Sequence, residues 1–211
     1  MTNLYPEFFR RIDERPDDLF YQRPRPSQHL DDAASDRACQ LYDELLPAGG
    51  VVLDLMAGES SHLPDKFERV VGLGLNLEEL EANEAVQQPV IFDINRHAQL
   101  PFHDEVFDGA VCTVSVQYMT RPGDTFADVA RCLRPGAPLI VTFSVRMFPS
   151  KAVLAWRSSD DSAHVRLVAS YFHRTPAFGP LRRRNIVPPQ GDPLYAQWAL
   201  KGEGERSRRD D

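Results

Sequence analysis

The chain is predicted to fold as α/β, with a mostly parallel, doubly wound sheet and helices on both of its faces. Three observations carry that expectation. Short uninterrupted apolar runs recur along the chain, and segments with helical spacing of apolar residues separate them. Alternation of that kind implies right-handed crossovers and hence parallel strands. The third observation is Val51-Val52-Leu53-Asp54-Leu55-Met56-Ala57-Gly58-Glu59-Ser60-Ser61, an apolar run that ends in a carboxylate and then breaks into small residues. Such a run suits a strand buried on both faces, and the small residues let a ligand approach the backbone beyond its carboxyl end. A plain strand-to-turn transition has the same pattern at this point.

Residues 1–30 are rich in Pro, Arg, Asp and aromatics, and Phe8, Phe9, Phe20 and Tyr21 are expected to pack this arm on the domain, as a pocket cover or a partner-binding segment. Residues 31–200 are expected to make one domain, and the charged, glycine-bearing stretch 201–211 a disordered tail. His29–Leu46 reads as a helix, with Asp31 and Asp32 at its start and Ala34, Ala38, Leu41 and Leu45 on one stripe. Pro47-Ala48-Gly49-Gly50 stops it before the strand Val51–Leu55. Ser60–Phe67 is short and interrupted by Pro64. Val70–Leu75 is a second strand, and Asn76 with Glu79 resembles a capping box ahead of a helix over Leu77–Ala85.

Val90-Ile91-Phe92, with Asp93 at its end, is a third strand, and Phe107–Ser115 a fourth. Thr125–Leu133 reads as a helix closed by Arg134-Pro135-Gly136, and Leu139–Ser144 is a fifth strand. Lys151–Trp156 and Asp161–Phe172 suit helices. Asn185–Val187 and Leu194–Leu200 are expected as two last strands joined by a Pro/Gly-rich turn.

With 24 basic and 31 acidic residues the formal charge is −7, so neither nucleic acid nor a membrane is expected as a partner. Cys39, Cys112 and Cys132 are odd in number and widely spaced, which argues against a disulfide framework and against a zinc cage. The six histidines are scattered, and no metal site is expected. MTNLYPEFFRRIDERPDD lacks the apolar core of a signal peptide, and no apolar segment is long enough to span a bilayer, so a cytoplasmic location is expected. Neither a GxxxxGK[ST] loop nor a GxSxG elbow occurs. Arg182-Arg183-Arg184 is read as a solvated loop or edge-strand device rather than as a phosphate or RNA site.

The succession VVLDLMAGES, VVGLGLNLEEL, VIFDIN with LPF, FDGAVCTVSVQYM and CLRPGAPLIVTFS resembles the motif series of class I S-adenosylmethionine-dependent methyltransferases, over roughly residues 40–145. The flanking segments FYQRPRPSQHLDD and RMFPSKAVLAW resemble a bacterial and plastid-type subgroup of methyltransferase-like proteins with a divergent glycine loop. The resemblance implies a Rossmann-like fold with S-adenosylmethionine as cofactor and a small-molecule acceptor as partner. Asp54, Ala57 and Gly58 match the first motif, with Glu59 beside them, while Met56 and Ser60 stand where the family has glycines. The family ends its second strand with an acid for the ribose hydroxyls; this chain has Gly74 there, followed by Leu75 and by Asn76 as a neutral substitute acceptor or a helix cap. Glu78 is a less well placed substitute.

Asp93 matches the carboxylate that accepts from the adenine amino group, and Ile94 the apolar residue against the ring. Ser115, Val116, Gln117 and Tyr118 correspond to the segment nearest the transferred methyl. Tyr21, Arg25 and His29 of the arm are expected to face the cofactor, and Tyr118 and His29 are candidate proton acceptors or acceptor-positioning groups. The expected reaction is in-line methyl transfer to an unidentified acceptor. The alternative is a protein that has lost catalysis and binds the cofactor, its demethylated product or a protein partner as a sensor or scaffold. The oligomeric state is not legible in the sequence.

Overall fold

The computed structural model describes residues 6–24 and 29–203. Among these, seven strands form one sheet: β1 (Val51–Leu55), β2 (Arg69–Gly74), β3 (Gln88–Ile91), β4 (Gly109–Thr113), β5 (Pro138–Phe143), β6 (Arg182–Ile186) and β7 (Leu194–Leu200). Their order is β3-β2-β1-β4-β5-β7-β6, and β7 alone runs antiparallel to its neighbours β5 and β6. The helices are α1 (Asp17–Phe20), α2 (Asp32–Leu45), α3 (Leu77–Ala82), α4 (Pro122–Cys132), α5 (Leu154–Arg157) and α6 (Asp161–His173). The predicted doubly wound α/β fold is what the chain adopts.

Side chains alternate across the sheet with the period of two that a strand imposes. Leu53, Leu55, Ala110, Cys112, Leu139, Val141 and Phe143 face one core, filled from outside by Phe126 and Val129 of α4 and Val168 and Phe172 of α6. Val52, Val111, Ile140, Ala196 and Trp198 face the other, against Ala34, Ala38, Leu41 and Tyr42 of α2. Tyr42 is fully buried there, and its hydroxyl meets Thr113 Oγ1 and Thr142 Oγ1 at 2.6 Å each, so the helix is pinned to the two central strands by polar as well as apolar contacts.

Departures from the expected boundaries have local causes. The helix α3 stops at Ala82 rather than Ala85 because Asn83 turns inward: its Nδ2 donates to Gly58 O and Ser61 Oγ, and its Oδ1 accepts from Ala85 N. The strand β4 ends two residues before Ser115, since Val114 takes a left-handed φ of 44°. The helix α4 begins three residues before Thr125 because Pro122 occupies its first turn, where a missing N–H costs nothing. The crossover from β1 to β2 contains no helix; Leu63 and Phe67 of an irregular segment cover that part of the sheet. Of the tail expected over 201–211, Lys201 is tied to Leu133 O at 2.7 Å, and residues 204–211 lie outside the described range.

The helix expected from Lys151 is replaced by the single turn α5, and Lys151 itself is wholly buried. Its Nζ lies 3.0 Å from Asp17 Oδ1 and donates to Arg15 O at 2.7 Å. Arg11 grips both oxygens of Asp17 from 2.7 and 2.8 Å, and Asn95 Nδ2 donates to the same carboxylate at 2.9 Å. One buried carboxylate thus holds two buried cations and ties the arm to the domain. Asp17→Ala would leave both cations uncompensated and should lower the unfolding free energy by about 3–5 kcal/mol, read from urea denaturation. A loss below about 1 kcal/mol would show that the network does not hold the arm.

Candidate functional site

The order of β1 to β5 reverses direction between β1 and β4, and in open α/β sheets the crevice for a ligand lies there, past the carboxyl ends of the strands. A cavity of about 1000 Å³ occupies that place. Its floor is the turn after β1. Met56 takes φ +62°, a left-handed conformation strained for a residue with a side chain, which puts the following peptide against β2: Ala57 N donates to Leu73 O at 2.8 Å. Met56 is partly buried against the core on the side of α4 and α6 and also lines the cavity.

That turn decides what the end of β2 can be. A Cβ on Gly74 would lie 2.4 Å from the Ala57 carbonyl oxygen, a backbone atom with nowhere to go. No side chain fits at position 74, so no acid can stand there while the turn keeps this shape. Asn76 does not supply the missing acceptor. Its Oδ1 accepts from Glu79 N at 3.1 Å as the cap of α3, and its Nδ2 donates to the carbonyl of Tyr21 at 2.8 Å. Of its two expected roles the structure shows the helix cap.

Asp54 is 4% exposed and accepts a short hydrogen bond from Ser61 Oγ, which in turn receives Asn83 Nδ2 at 2.9 Å. Burial pushes its carboxyl up to about 6, with the Ser61 bond opposing the shift. Asp93 is half-buried at the end of β3, where its Oδ1 accepts from Asn95 N at 2.8 Å and its side chain reaches the cavity wall. Ile94 is buried in the same wall. Asn95 uses both ends of its amide, donating to Asp17 and to Tyr118 O and accepting from Thr120 N.

Tyr21, His29 and Tyr118 gather around Phe148. The His29 ring stands 5.1 Å from Phe148 at a right angle, Tyr118 lies 6.1 Å away nearly parallel, and Tyr21 6.5 Å away on edge. Tyr118 Oη accepts from Phe148 N at 2.8 Å, and burial pushes its hydroxyl up to about 12, so it stays protonated at neutral pH. Burial, then the neighbouring Arg146, lowers the His29 imidazole, which is therefore neutral. His62 behaves alike: burial and then His29 lower it, and its Nδ1 meets Ser35 Oγ at 2.6 Å.

The structure brings together Tyr21, His29, Asp54, Met56, Ala57, Gly58, Glu59, Gly74, Leu75, Asn76, Asp93, Ile94, Ser115 and Tyr118 on one wall. It leaves out Val116 and Gln117, whose expected place beside the ligand is corrected. Val116 is buried in the core, and Gln117 turns inward to donate to Val114 O at 2.7 Å. The positive φ of Val114 reverses the chain just before them, which turns both away. Arg25 lies outside the described residues. Sequence reasoning missed His62, Glu79, Asn83, Phe148 and the Arg11–Asp17–Lys151 network, all of which line the cavity. His62, directly after the predicted floor Asp54–Ser61, was the one signal available.

The mixed sheet in this order, with β7 antiparallel and a cavity over β1, β2 and β4, has the Rossmann-like fold of class I S-adenosylmethionine-dependent methyltransferases. Residues 54–141 match the family model described as a methyltransferase domain. A curated relative, the biotin biosynthesis bifunctional protein BioHC of Teredinibacter turnerae (strain ATCC 39867 / T7901), is 26% identical over 134 residues, 62% of this chain and 21% of its own. The chain thus spans about a fifth of that relative's length.

Among solved structures the chain is similar to the [4+2]-cyclase SpnF, with a TM-score of 0.58 and 16% identity over 79% of this chain and 80% of that one. It is similar also to an S-adenosylmethionine-dependent methyltransferase from Aquifex aeolicus, with a TM-score of 0.56 and 15% identity over 84% and 94%. A third is the phosphoethanolamine N-methyltransferase 2 of Haemonchus contortus with S-adenosylmethionine, at 0.57 and 12% over 80% and 52%. At such identities these likenesses speak for the fold. No helix among the described residues is long and apolar enough to cross a membrane.

Two outcomes follow from this geometry. The folded carboxyl of Asp54 sits near 6 against an ordinary 3.8, so the folded state holds more protons than the unfolded one between these values and stability falls as pH rises through them. Relative to Asp54→Asn, the wild type should lose about 2 kcal/mol of unfolding free energy between pH 4 and pH 7, measured by denaturant titration at each pH. A pH-independent difference would place Asp54 in ordinary solvent. Gly74→Asp, which restores an acid at the end of β2, should destabilise the fold by about 1–3 kcal/mol through the Ala57 clash. A variant as stable as the wild type in thermal unfolding would show that the turn yields.

Proposed function

We propose that the protein binds S-adenosylmethionine in this cavity and catalyses methyl transfer to a small-molecule acceptor. The observation that carries the reading is the charge of the wall. Among its described residues are Asp54, Glu59, Asp65, Glu79, Glu84 and Asp93, while the cations Arg11 and Lys151 are both engaged by Asp17. Such a wall suits a ligand that is itself cationic. The residues fit the cofactor, save at the place of Gly74. Asp54 would hold the ammonium end, Asp93 the adenine amino group, and Phe92, Ile94 and Leu75 the faces and edge of the ring.

When bound, S-adenosylmethionine supplies an electrophilic methyl on a sulfonium, displaced in line as a neutral thioether leaves. What the chain must add is alignment, exclusion of water and, for a protonated nucleophile, a base. The aromatic group around Phe148 closes the side of the cavity next to Ser115 and Tyr118 and makes the acceptor chamber. His29 is neutral there and is our candidate proton acceptor; Tyr118, held protonated, positions the acceptor as a wall and hydrogen-bond donor. The bare Gly74 favours a second reading, a binder of the cofactor or its product without turnover.

Isothermal calorimetry with S-adenosylmethionine and S-adenosylhomocysteine tests both. Saturable binding is expected, and Asp93→Ala should weaken it about 10-fold or more. Absence of binding by the wild type would sink both readings, whereas unchanged affinity in the variant would remove Asp93 from the site. Turnover with candidate acceptors separates transfer from binding alone.

A further inference from the structure

We propose that a second pocket, between the arm and the start of α4, binds an oxyanion, the phosphate or carboxylate group of a small organic molecule, on the paired donors of Arg121 and on Arg11 Nε. The pocket has a volume of about 450 Å³. Arg11, Asp17, Asp93 and Asn95 line both it and the main cavity, and the hydrogen bond of 2.9 Å from Asn95 Nδ2 to Asp17 Oδ2 belongs to the partition. Arg121 lines the second pocket and not the first. Whatever fills the cavity over β1, β2 and β4, this chamber has donors of its own.

Four arginines border it, Arg10, Arg11, Arg96 and Arg121, against the acids Glu14, Asp17 and Asp93, in a chain whose formal charge is −7. The acids are occupied from within the fold. Asp17 holds Arg11 and Lys151, Asp93 Oδ1 accepts from Asn95 N, and Glu14 Oε1 accepts from Arg11 N. Two of the arginines are left short of acceptors. Arg121 Nε and Nη2 are buried and have no hydrogen-bond partner among the described residues, and its Nη1 lies 3.9 Å from Asp124 Oδ2, beyond hydrogen-bond distance. Arg11, whose side chain is 7% exposed, gives its Nη1 to Asp17, while its Nε is likewise unpaired, 4.0 Å from Glu14 Oε2.

A charged donor that is buried and unpaired is costly, and an oxyanion removes that cost. Nε and Nη2 form one edge of the guanidinium, with the spacing that two oxygens of a carboxylate or phosphate match. Arg121 is also the N-cap residue of α4, where no side chain caps the helix, so the positive end of the helix adds to the field. Arg10 and Arg96 stand exposed at the rim, Arg96 3.8 Å from Asp18. Pro6, Phe9 and Pro16 supply an apolar side, and the volume exceeds that of a bare phosphate, so the anion is one end of a larger molecule.

Calorimetry at constant ionic strength tests this with phenyl phosphate, benzoate and uncharged benzyl alcohol, on the wild type, Arg121→Gln, Arg121→Lys and Arg182→Gln, the last at an exposed arginine of β6. Thermal unfolding of each variant is the folding control. The wild type should bind at least one of the two anions saturably, and benzyl alcohol about 10-fold more weakly or not at all. Arg121→Gln should lose about 10-fold or more in that affinity, Arg121→Lys, which keeps the charge but not the fork, should fall between, and Arg182→Gln should match the wild type. Because the Arg121 head group has no partner to lose, Arg121→Gln should unfold at the wild-type temperature or above it. Tighter phenyl phosphate makes the natural group a phosphoryl, and tighter benzoate makes it a carboxylate. The site is overturned by a wild type that binds neither anion or binds benzyl alcohol equally well, by full affinity in Arg121→Gln, or by the same loss in Arg182→Gln. A lower unfolding temperature for Arg121→Gln without ligand would make Arg121 a structural group and overturn it as well.

Discussion

The hydrogen bond from Ala57 N to Leu73 O governs the shape of the cavity. To make it, the chain must reverse at Met56, and it does so in a left-handed conformation that glycine would adopt without strain. Strain of this kind persists only where the surroundings over-determine it. Here the surroundings are visible: the Met56 side chain is anchored in the core, Asn83 holds the Gly58 carbonyl, and Ser61 is clamped between Asn83 and Asp54. The same bond brings the Ala57 carbonyl onto Gly74, so a residue in the first motif dictates a residue in the second. The absence of an acid at position 74 thus follows from the shape of the turn after β1.

A second constraint comes from the arm. Replacing water around Arg11, Asp17 and Lys151 is expensive, and the pairing in the interior offsets that cost only because the geometry is saturated with additional donors and acceptors. Asp17 receives two bonds from Arg11, one from Asn95 and the Lys151 ammonium, while Lys151 also reaches the carbonyl of Arg15. Such a network specifies one docking position for the arm where an apolar contact would tolerate several. That precision matters for the site, since Tyr21 follows α1 directly and its carbonyl is what Asn76 grips. Through Asn95 the arm is further tied to the carbonyl of Tyr118 and to the amide before α4, so the aromatic chamber is referenced to the sheet on two sides.

These couplings explain what could be read in the sequence. Val51–Leu55 and Leu194–Leu200 were legible to the residue, because a continuous apolar run bounded by turn residues has few other solutions. That Asp54, Gly58, Asp93 and Ser115 would share one cavity was legible because topology carries the ends of parallel strands to one crevice. Lys151 was not: its position in a helical pattern says nothing of a carboxylate more than a hundred residues away. The choice for Asn76 between cap and ligand could not be made without Tyr21 O, and Val116 and Gln117 were misplaced because nothing in Val114 announces a positive φ. His62 reaches the site because the irregular crossover after β1 lines the cavity, which no helical or strand pattern announces.

The electrostatics of the wall connect stability to function. Ionising Asp54 works against its burial, which is why its carboxyl lies above the ordinary range. A cation arriving beside it would favour the ionised form, and by linkage the same free energy appears as affinity. Asp54 is therefore a poorly solvated group that a positive ligand, as proposed, would match. An anionic or neutral occupant gains nothing from such a group. On the proposed function, the cost of burying Asp54 would discriminate between ligands by charge at the floor of the cavity.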